Sequence, residues 1–449
     1  MADNSYESTP HFGYTVAPRV FSQIALRTLP HAICTVREEG ASDPHAVLKV
    51  YADPAGIARF HARPSGASAE VLKFVVDCDV EGKVTRYPLE LRADHEPSQA
   101  MPAPPADDVL QSPLCDSVRP ALSNTQMLEM PDDELLERGY PLRPSRHEVP
   151  RAFRAWQRVV SMPSAVLQPH TVTRHDIRHG KGASIQEAPG TSTNWCGFEL
   201  HRSLKLTGSP TIGGGGIGLD QPYDWVHGRW HVPAVVGEFN RKTYSSLWVG
   251  LDGVETSDLV QAGTESDSII YGNDFVQITL STYYAWTEFL PQQPSSLQVT
   301  NFPVNPGDEM VVEVWIGNAG SAPTLSGAFG VLLLMNLTVG VSTYIYTPVG
   351  TTRVGGSEAV WIAERPTLLK PASGIFGPSP QLPDLANFAS ATMFDAHARK
   401  ANSPKHQGYV PYFGPRNRQI SMVGKNGDTL SVVTPIDAFS MRFDWKAFS

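Results

Sequence analysis

In EVLKFVVDCDV, residues 70–80, the apolar side chains Leu72, Phe74, Val76, Cys78 and Val80 alternate with Lys73, Asp77 and Asp79. That is the period-two pattern of a strand packed on one face. AVLKVYADP, GIARFHARP and TRYPLELRA lie around it, separated by turn clusters, so residues 1–100 are expected to form a small β-sandwich-like module. QAMPAPPADD, dense in Pro and Ala, reads as a linker. The pattern then changes. PDDELLERGYPLRP predicts a short helix capped by Asp132 or Asp133 and stopped at Gly139 and Pro141. A second helix is expected after Pro150, where Phe153, Trp156, Val159 and Val160 make one apolar stripe while Arg151, Arg154 and Arg158 lie elsewhere. Beyond residue 190, runs such as SSLWVGL, FVQITLSTYYAWTEFL, EMVVEVWIG, FGVLLLMNLTVGV, AVWIAE and TLSVVTP are broken by Gly, Pro, Asn and Asp. Many strands without alternating helices predict an antiparallel sandwich or barrel rather than an α/β fold.

Composition adds bounds. With 449 residues the chain exceeds one typical domain of about 150. Its 37 Gly and 38 Pro fit a turn-rich protein. A net charge of −9 argues against a nucleic-acid binder, and the longest apolar run, near Val331–Met335, falls far short of the roughly 18 residues that span a membrane. Charge is unevenly placed. Residues 138–182 hold nine Lys/Arg against Glu148 and Asp176, whereas residues 191–400 hold eighteen Asp/Glu against ten Lys/Arg. The basic stretch therefore needs an acidic partner or open solvent. The four cysteines, Cys34, Cys78, Cys115 and Cys196, form no CxxC pair, which leaves at most a single Cys34–Cys78 bridge. The start MADNSYESTPHFGYTVAP lacks the basic and apolar regions of a secretory signal.

Common catalytic signatures are missing, including GxSxG, HExxH, the P-loop and the Asp-Thr-Gly loop of aspartic peptidases. A nominal GxGxxG at Gly213, Gly215 and Gly218 sits in IGGGGIG, where a flexible loop is the default. His175 and His179, in HDIRH, could face together on a helix as metal ligands, but without a third ligand nearby a solvated basic segment is the expectation. Asn336 opens an Asn-Leu-Thr sequon inside an apolar strand, a poor glycosylation site.

The decisive signal is a succession of segments: NWCG at 194–197, GRWHVP at 228–233, LWVGLDG at 247–253, VQAGT at 260–264, YYAWTEFLP at 283–291, NPGDEM at 305–310, VWIAERP at 360–366, LPDLANFAS at 382–390, and the closing GDTLSVVTPIDAFSMRFDW. In this order they resemble the glutamic peptidases, the eqolisin family, over residues 190–449. LLERGYPLRP is also similar to a segment preceding the catalytic domain in longer relatives. The resemblance implies an all-β fold class, a concanavalin-like antiparallel β-sandwich over 191–449. The small β-rich module (1–100) and a partly helical basic segment (101–190), serving as linker, pro-segment or docking segment, would precede it.

The same resemblance implies a catalytic Gln261, from VQAGT, and a catalytic Glu364, from VWIAE. A carboxylate can take a proton from an attacking water and return it to the leaving amine. An amide N–H can bond the developing oxyanion without titrating in acid. Trp195 and Trp248 match family tryptophans of the cleft, and Asp252 and Glu288 match acidic positions near it. Alternation in YYAWTEF places Tyr284, Trp286 and Glu288 on one strand face, where they either share the groove or form a structural polar cluster. Tyr284 stands where an Asp can occur in the family. Arg365, next to Glu364, is expected to favour its ionised form. The implied activity is an acid-acting endopeptidase with polypeptide substrates and a monomeric chain, needing no cofactor or metal, with a pH maximum at or below about 4.3. A basic pro-segment could dock on the acidic groove and be removed by self-cleavage to leave a product beginning near residues 180–195. Secretion is usual in the family, yet no signal is visible. The rival is a lectin-like carbohydrate- or protein-binding sandwich without activity, and a third option is a purely structural β protein.

Overall fold

A computed structural model describes residues 13–16, 22–27, 32–38, 47–52, 57–62, 71–80, 83–93, 117–180, 190–202, 204–207, 216–219, 221–254, 256–272, 277–317, 329–347, 354–370, 379–401, 406–408 and 418–449. The linker stretch 99–108, Cys115, Gly213 and Gly215 lie outside the described residues. Gly218 falls in the strand Gly216–Leu219, which pairs with the strand Leu204–Thr207 and is followed by a further strand rather than a helix.

The chain divides into two compact units: Met1–Met101 with Gly237–Arg241 and Ser268–Thr282, and the remainder. The smaller unit is built on a five-stranded sheet in the order Gly13–Val16, Lys83–Ala93, Val71–Val80, Ile33–Glu38, Val47–Tyr51. The alternation expected of residues 70–80 holds where it is described, for Val76 and Cys78 are buried and Asp79 is exposed. Asp77 receives Arg86 and Arg37 on the outer face, and those two guanidiniums, Arg86 first, keep its carboxyl below the usual range. A second ladder runs from Ile57–Ala62 through Ser22–Arg27 to residues 277–282.

Cys34 and Cys78 face each other across this antiparallel ladder with their sulfurs 2.6 Å apart. Their contact draws the Cys34 thiol below its ordinary value, which favours attack by the thiolate on an oxidant. Incubation with oxidised glutathione should therefore join the two residues. Peptide mapping without reductant is expected to yield one linked Cys34–Cys78 pair, and two freely alkylated thiols after that treatment would count against it.

In the larger unit, strict alternation splits each strand into a core face and an outer face. On the Glu358–Glu364 strand, Ala359, Trp361 and Ala363 join the core, as do Cys196, Phe198 and Leu200 on Trp195–His201 and Leu247, Val249 and Leu251 on Thr243–Asp252. These three strands form one antiparallel ladder with Glu358–Glu364 in the centre, Trp195 and Ser246 both pairing with Glu364. Leu259–Gly272 runs alongside, tied by the hydroxyls of Ser245 and Ser246, which donate to the carbonyls of Ser266 and Thr264. Ala285–Thr287, from the Gln277–Leu290 strand, pairs with Leu297–Val299. The facing layer runs antiparallel through Val341–Thr347, Phe329–Asn336, Glu309–Gly317, Tyr223–His231, Ser390–Lys400, Ser440–Trp445 and Thr429–Asp437. Between the layers lies one large core including Trp230, Trp361, Leu332, Leu334, Met393 and Phe443. Indole N–H groups stitch the layers together, Trp361 donating to the His227 carbonyl and Trp230 to the Thr264 hydroxyl. The all-β sandwich expected of this half is the observed architecture.

Residues 117–180 are part of the same unit. The helix Asp132–Glu137 and the turn at Gly139 (φ 79°) lie where the sequence places them, as does Pro150–Val160 with Pro150 in its first turn. A further helix, Asn124–Glu129, starts with a capping box between Ser123 and Gln126. Phe153, Trp156 and Val160 pack on Leu122, Met127, Met130, Leu135 and Tyr140. Beyond them the chain adds strands to existing ladders: Ser164–Leu167 beside Val341–Thr347, Thr171–Arg174 beside Ser296–Val299, and Ile177–Arg178 beside Thr367–Lys370. HDIRH is thus a turn and a strand, not a helix, so His175 is exposed while His179 is fully buried. The sequon at Asn336 is closed as expected: its amide donates to the Pro303 carbonyl and to Asp308. Among the described residues no helix is long and apolar enough to cross a membrane.

Candidate active site

The period of two that sends Ala363, Leu247, Val260, Ala262, Ala285 and Phe289 into the core sends their neighbours Glu364, Trp248, Gln261, Trp286 and Glu288 to the opposite face of the sheet. Trp195, Glu265 and Tyr284 occupy the same face by the same rule. None of these eight side chains has more than 2% of its surface exposed, because the segment ending at His179 and Gly180 lies over them.

Glu364 has both oxygens occupied. Oε1 accepts from the Gly180 backbone N–H at 3.0 Å and from Asn194 Nδ2 at 3.1 Å, and Oε2 accepts from Trp248 Nε1 at 2.7 Å. Asn194 also donates to the Gly180 carbonyl at 2.8 Å, so it holds the carboxylate and the covering backbone together. Gln261 Nε2 donates to Glu288 Oε2 at 2.9 Å, and the same oxygen accepts the His179 backbone N–H at 2.9 Å. The His179–Gly180 dipeptide therefore bridges Glu288 and Glu364. The His179 ring stacks on Trp286, with centroids 3.5 Å apart and planes 6° from parallel, and its Nε2 meets Glu265 Oε2 at 2.8 Å. Gly180 has φ +121°, and a Cβ there would come within 2.9 Å of Leu290 Cδ1. The positive φ calls for glycine at this position, while the Leu290 methyl, at the end of a flexible side chain, could move aside.

Burial dominates the electrostatics. It pushes Glu364 well above the usual carboxylate range despite the opposing pull of the N–H groups of Gly180, Trp195, Trp248 and Asn194. Burial and the Glu364 charge raise Glu288, and burial with Asp267 and Glu364 raises Glu265. His179 is driven the other way, to the neutral imidazole, by burial and by Arg174. Removing an ion from water costs several kcal/mol, more than a few hydrogen bonds return.

These directions fix a dependence of stability on pH. The three carboxyls titrate higher in the folded chain than in the unfolded one, where they ionise near about 4.3, so above about that value the folded state binds more protons and stability falls as pH rises towards the folded values. His179 has the opposite sign, gaining stability up to about pH 6.5, but it is one group against three. Glu265→Gln should thus match wild type in melting temperature near pH 4 and exceed it near pH 7. Each pH unit by which the folded carboxyl titrates high is worth about 1.4 kcal/mol, or about 3–6 °C at ~2–4 °C per kcal/mol. An equal difference at both pH values would refute the assignment.

Gln261, Glu364, Trp195, Trp248, Trp286 and Glu288 are brought together. Tyr284 lies at the margin, its ring 5.3 Å from the Arg174 guanidinium. Asp252 does not join the cluster: its carboxylate accepts the backbone N–H groups of Gly355, Gly356, Ser357 and Glu358, which clamps the turn leading into the Glu364 strand. Burial raises Asp252 to about 6. Arg365 does not act on Glu364 as expected. Adjacent strand residues point to opposite sides, and its guanidinium donates to the carbonyls of Thr193 and Pro383. Asn194, His179, Gly180 and Glu265 were not singled out by the sequence as members of this cluster, although Asn194 opens the quoted NWCG and His179 closes HDIRH. An open groove of about 760 Å³ beside the Pro150–Val160 helix, lined by Arg151, Arg154, Arg158 and Arg229 among others, contains none of these residues.

The sequence model of the peptidase A4 family matches residues 211–438, about half of the chain and the stretch that carries both Gln261 and Glu364. The chain belongs to the peptidase A4 family. Similar solved structures include Scytalido-glutamic peptidase with a peptide-based transition-state analogue, 16% identical over 57% of this chain and 98% of that one, with a TM-score of 0.40. Another is SCP-B, a member of the eqolisin family, in a complex with the tripeptide Ala-Ile-His, 14% identical over the same shares, with a TM-score of 0.38. No curated protein matches the chain. Membership implies polypeptide substrates for this A4 chain.

Proposed function

We propose that this chain is an acid-acting endopeptidase in which Glu364 activates water and Gln261 stabilises the oxyanion. The observation that carries the reading is the position of Glu364. It is a buried carboxyl whose Oε1 accepts the Gly180 backbone N–H at 3.0 Å, so it faces a peptide group of the segment lying across it on the sheet face that also carries Gln261. In the proposed reaction Glu364 takes a proton from water as the water oxygen bonds to the scissile carbonyl carbon. The Gln261 amide, free of charge at any acid pH, donates to the oxygen that becomes negative. Glu364 then delivers its proton to the leaving nitrogen and the C–N bond breaks. Trp286, Trp248 and Trp195 supply apolar walls that take polypeptide side chains, and Glu288 positions Gln261 through its 2.9 Å bond. In this reading residues 101–190 act as a pro-segment or docking segment, whose described part covers Glu364 at Gly180.

The test is cleavage of denatured casein from pH 2 to 7 by the full-length protein after acid incubation, in the presence of a metal chelator and of serine and cysteine reagents. Resistance to all three inhibitors is expected. With Arg365 engaged elsewhere, the maximum should lie in the acid range near about 4.3, where one glutamate can both accept and deliver a proton. A maximum above neutrality would assign the chemistry to another group, and no cleavage at any pH would remove the proposal.

A further inference from the structure

We propose that Asn194 is the positioning residue of Glu364 and, with its second amide hydrogen, the receptor for a backbone carbonyl of the bound polypeptide. This rests on the proposed role of Glu364 and deepens it by naming which main-chain group of the substrate is read. The Asn194 side chain is fully buried, and its surroundings turn the amide one way round. Ser192 donates its hydroxyl to Asn194 Oδ1 at 3.2 Å, and the same hydroxyl oxygen accepts the Asn194 and Trp195 backbone N–H groups at 3.3 and 3.1 Å. With the amide oxygen turned to Ser192, both hydrogens of Nδ2 face the site, one towards Glu364 Oε1 at 3.1 Å and one towards the Gly180 carbonyl at 2.8 Å. The backbone beneath is fixed as well. Arg365 donates its own N–H to the Asn194 carbonyl at 3.0 Å and its Nε to the Thr193 carbonyl at 2.8 Å, which ties Asn194 to the residue after Glu364.

Donors on opposite oxygens, Asn194 on Oε1 and Trp248 on Oε2, fix the plane of the carboxyl, and Oε1 is the oxygen turned to the peptide nitrogen of the covering chain. That chain is held at two points of one residue, its N–H by Glu364 and its C=O by Asn194. The residue is Gly180, so neither point is a side chain, and a site that reads only N–H and C=O accepts polypeptides of varied sequence. On the proposed role of Glu364, which hands a proton to the leaving nitrogen, the carbonyl on Asn194 belongs to the residue that supplies that nitrogen. The Asn194 hydrogen bond also favours the ionised form of Glu364. Among the described residues, the charged and titratable groups around the site are Glu288, Glu265 and Asp267 on neighbouring strands and His179, Arg174 and Arg178 on the covering segment. Arg365 turns away. A substitution at Asn194 leaves all of them in place.

The experiment uses full-length protein after acid incubation, with casein and with a peptide spanning one of its casein cleavage sites. The peptide is made twice, once natural and once with the bond following the cleaved one replaced by a trans-alkene, which removes the carbonyl of the residue supplying the leaving nitrogen. Wild type should cleave the natural peptide about tenfold faster in kcat/KM, the worth of one well-placed hydrogen bond. Asn194→Ala should lose about 10- to 100-fold on the natural peptide, with kcat falling and not only KM rising. It should cleave the two peptides within about twofold of each other. Its pH profile should rise at higher pH than that of wild type, because a carboxyl deprived of a donor ionises later. Equal wild-type rates on the two peptides overturn the inference whether or not Asn194→Ala folds. So does a gap undiminished in folded Asn194→Ala, or an unmoved pH profile. In each of these cases casein cleavage by wild type leaves the peptidase reading standing, whereas absence of casein cleavage overturns both.

Discussion

Glu364→Gln is expected to abolish peptide hydrolysis while leaving the fold intact. The substitution preserves volume and keeps an oxygen for the N–H groups now pointing at Glu364, but removes the proton acceptor. Loss of a positioned general base commonly costs ~10² to 10⁴-fold in rate, and more where the same group also delivers the proton in the second step. Stability should not suffer. A neutral amide needs no solvation of charge at a site where burial already disfavours the carboxylate, so the melting temperature should equal or exceed that of wild type at neutral pH. The measurement is a casein rate beside a thermal melt. A folded Glu364→Gln protein that cleaves as fast as wild type would transfer the role to another residue, with Glu288 the nearest candidate.

Gln261→Ala should lower kcat by ~10² to 10³-fold, the effect of removing one oxyanion donor, equivalent to about 3–4 kcal/mol. Geometry adds a distinguishing mark. Gln261 Nε2 donates to Glu288, so its removal takes a hydrogen bond from a buried carboxyl that is already held high and should raise it further. Gln261→Glu would instead place a fourth carboxyl among Glu265, Glu288 and Glu364, and should be the more damaging of the two above pH 5. A rise in KM with kcat unchanged in Gln261→Ala would make the residue a binding group.

Much of the site was legible because strands encode faces. Once YYAWTEF and VWIAE are read as strands, alternation alone puts Trp286, Glu288 and Glu364 on the face opposite Tyr283, Ala285 and Ala363, and the fold follows that division. The resemblance supplied the choice of Gln261 and Glu364, which periodicity could not make among several buried polar residues. What was hidden was long-range. Nothing local in HDIRHG tells that His179 will stack on an indole 107 positions away in sequence, and a run of nine basic residues reads as solvated until the ladders that absorb it are known. Arg174 illustrates the point: it forms a two-toothed pair with Asp176 and also donates to Gln298. Asp252 misled for a related reason. Its conspicuous place in LWVGLDG reflects a backbone clamp, made with N–H groups of a turn a hundred residues downstream, which carries no trace in its own neighbourhood.

The ladders formed by Ser164–Leu167 and Thr171–Arg174 carry a cost for any attempt to express the sandwich alone. A chain beginning at residue 190 would strip partners from Val341–Thr347 and from Ser296–Val299, leaving rows of unpaired backbone N–H and C=O groups along two rims. Such rims recruit strands from other copies. The truncated chain would then be lost to aggregation for reasons unrelated to its chemistry.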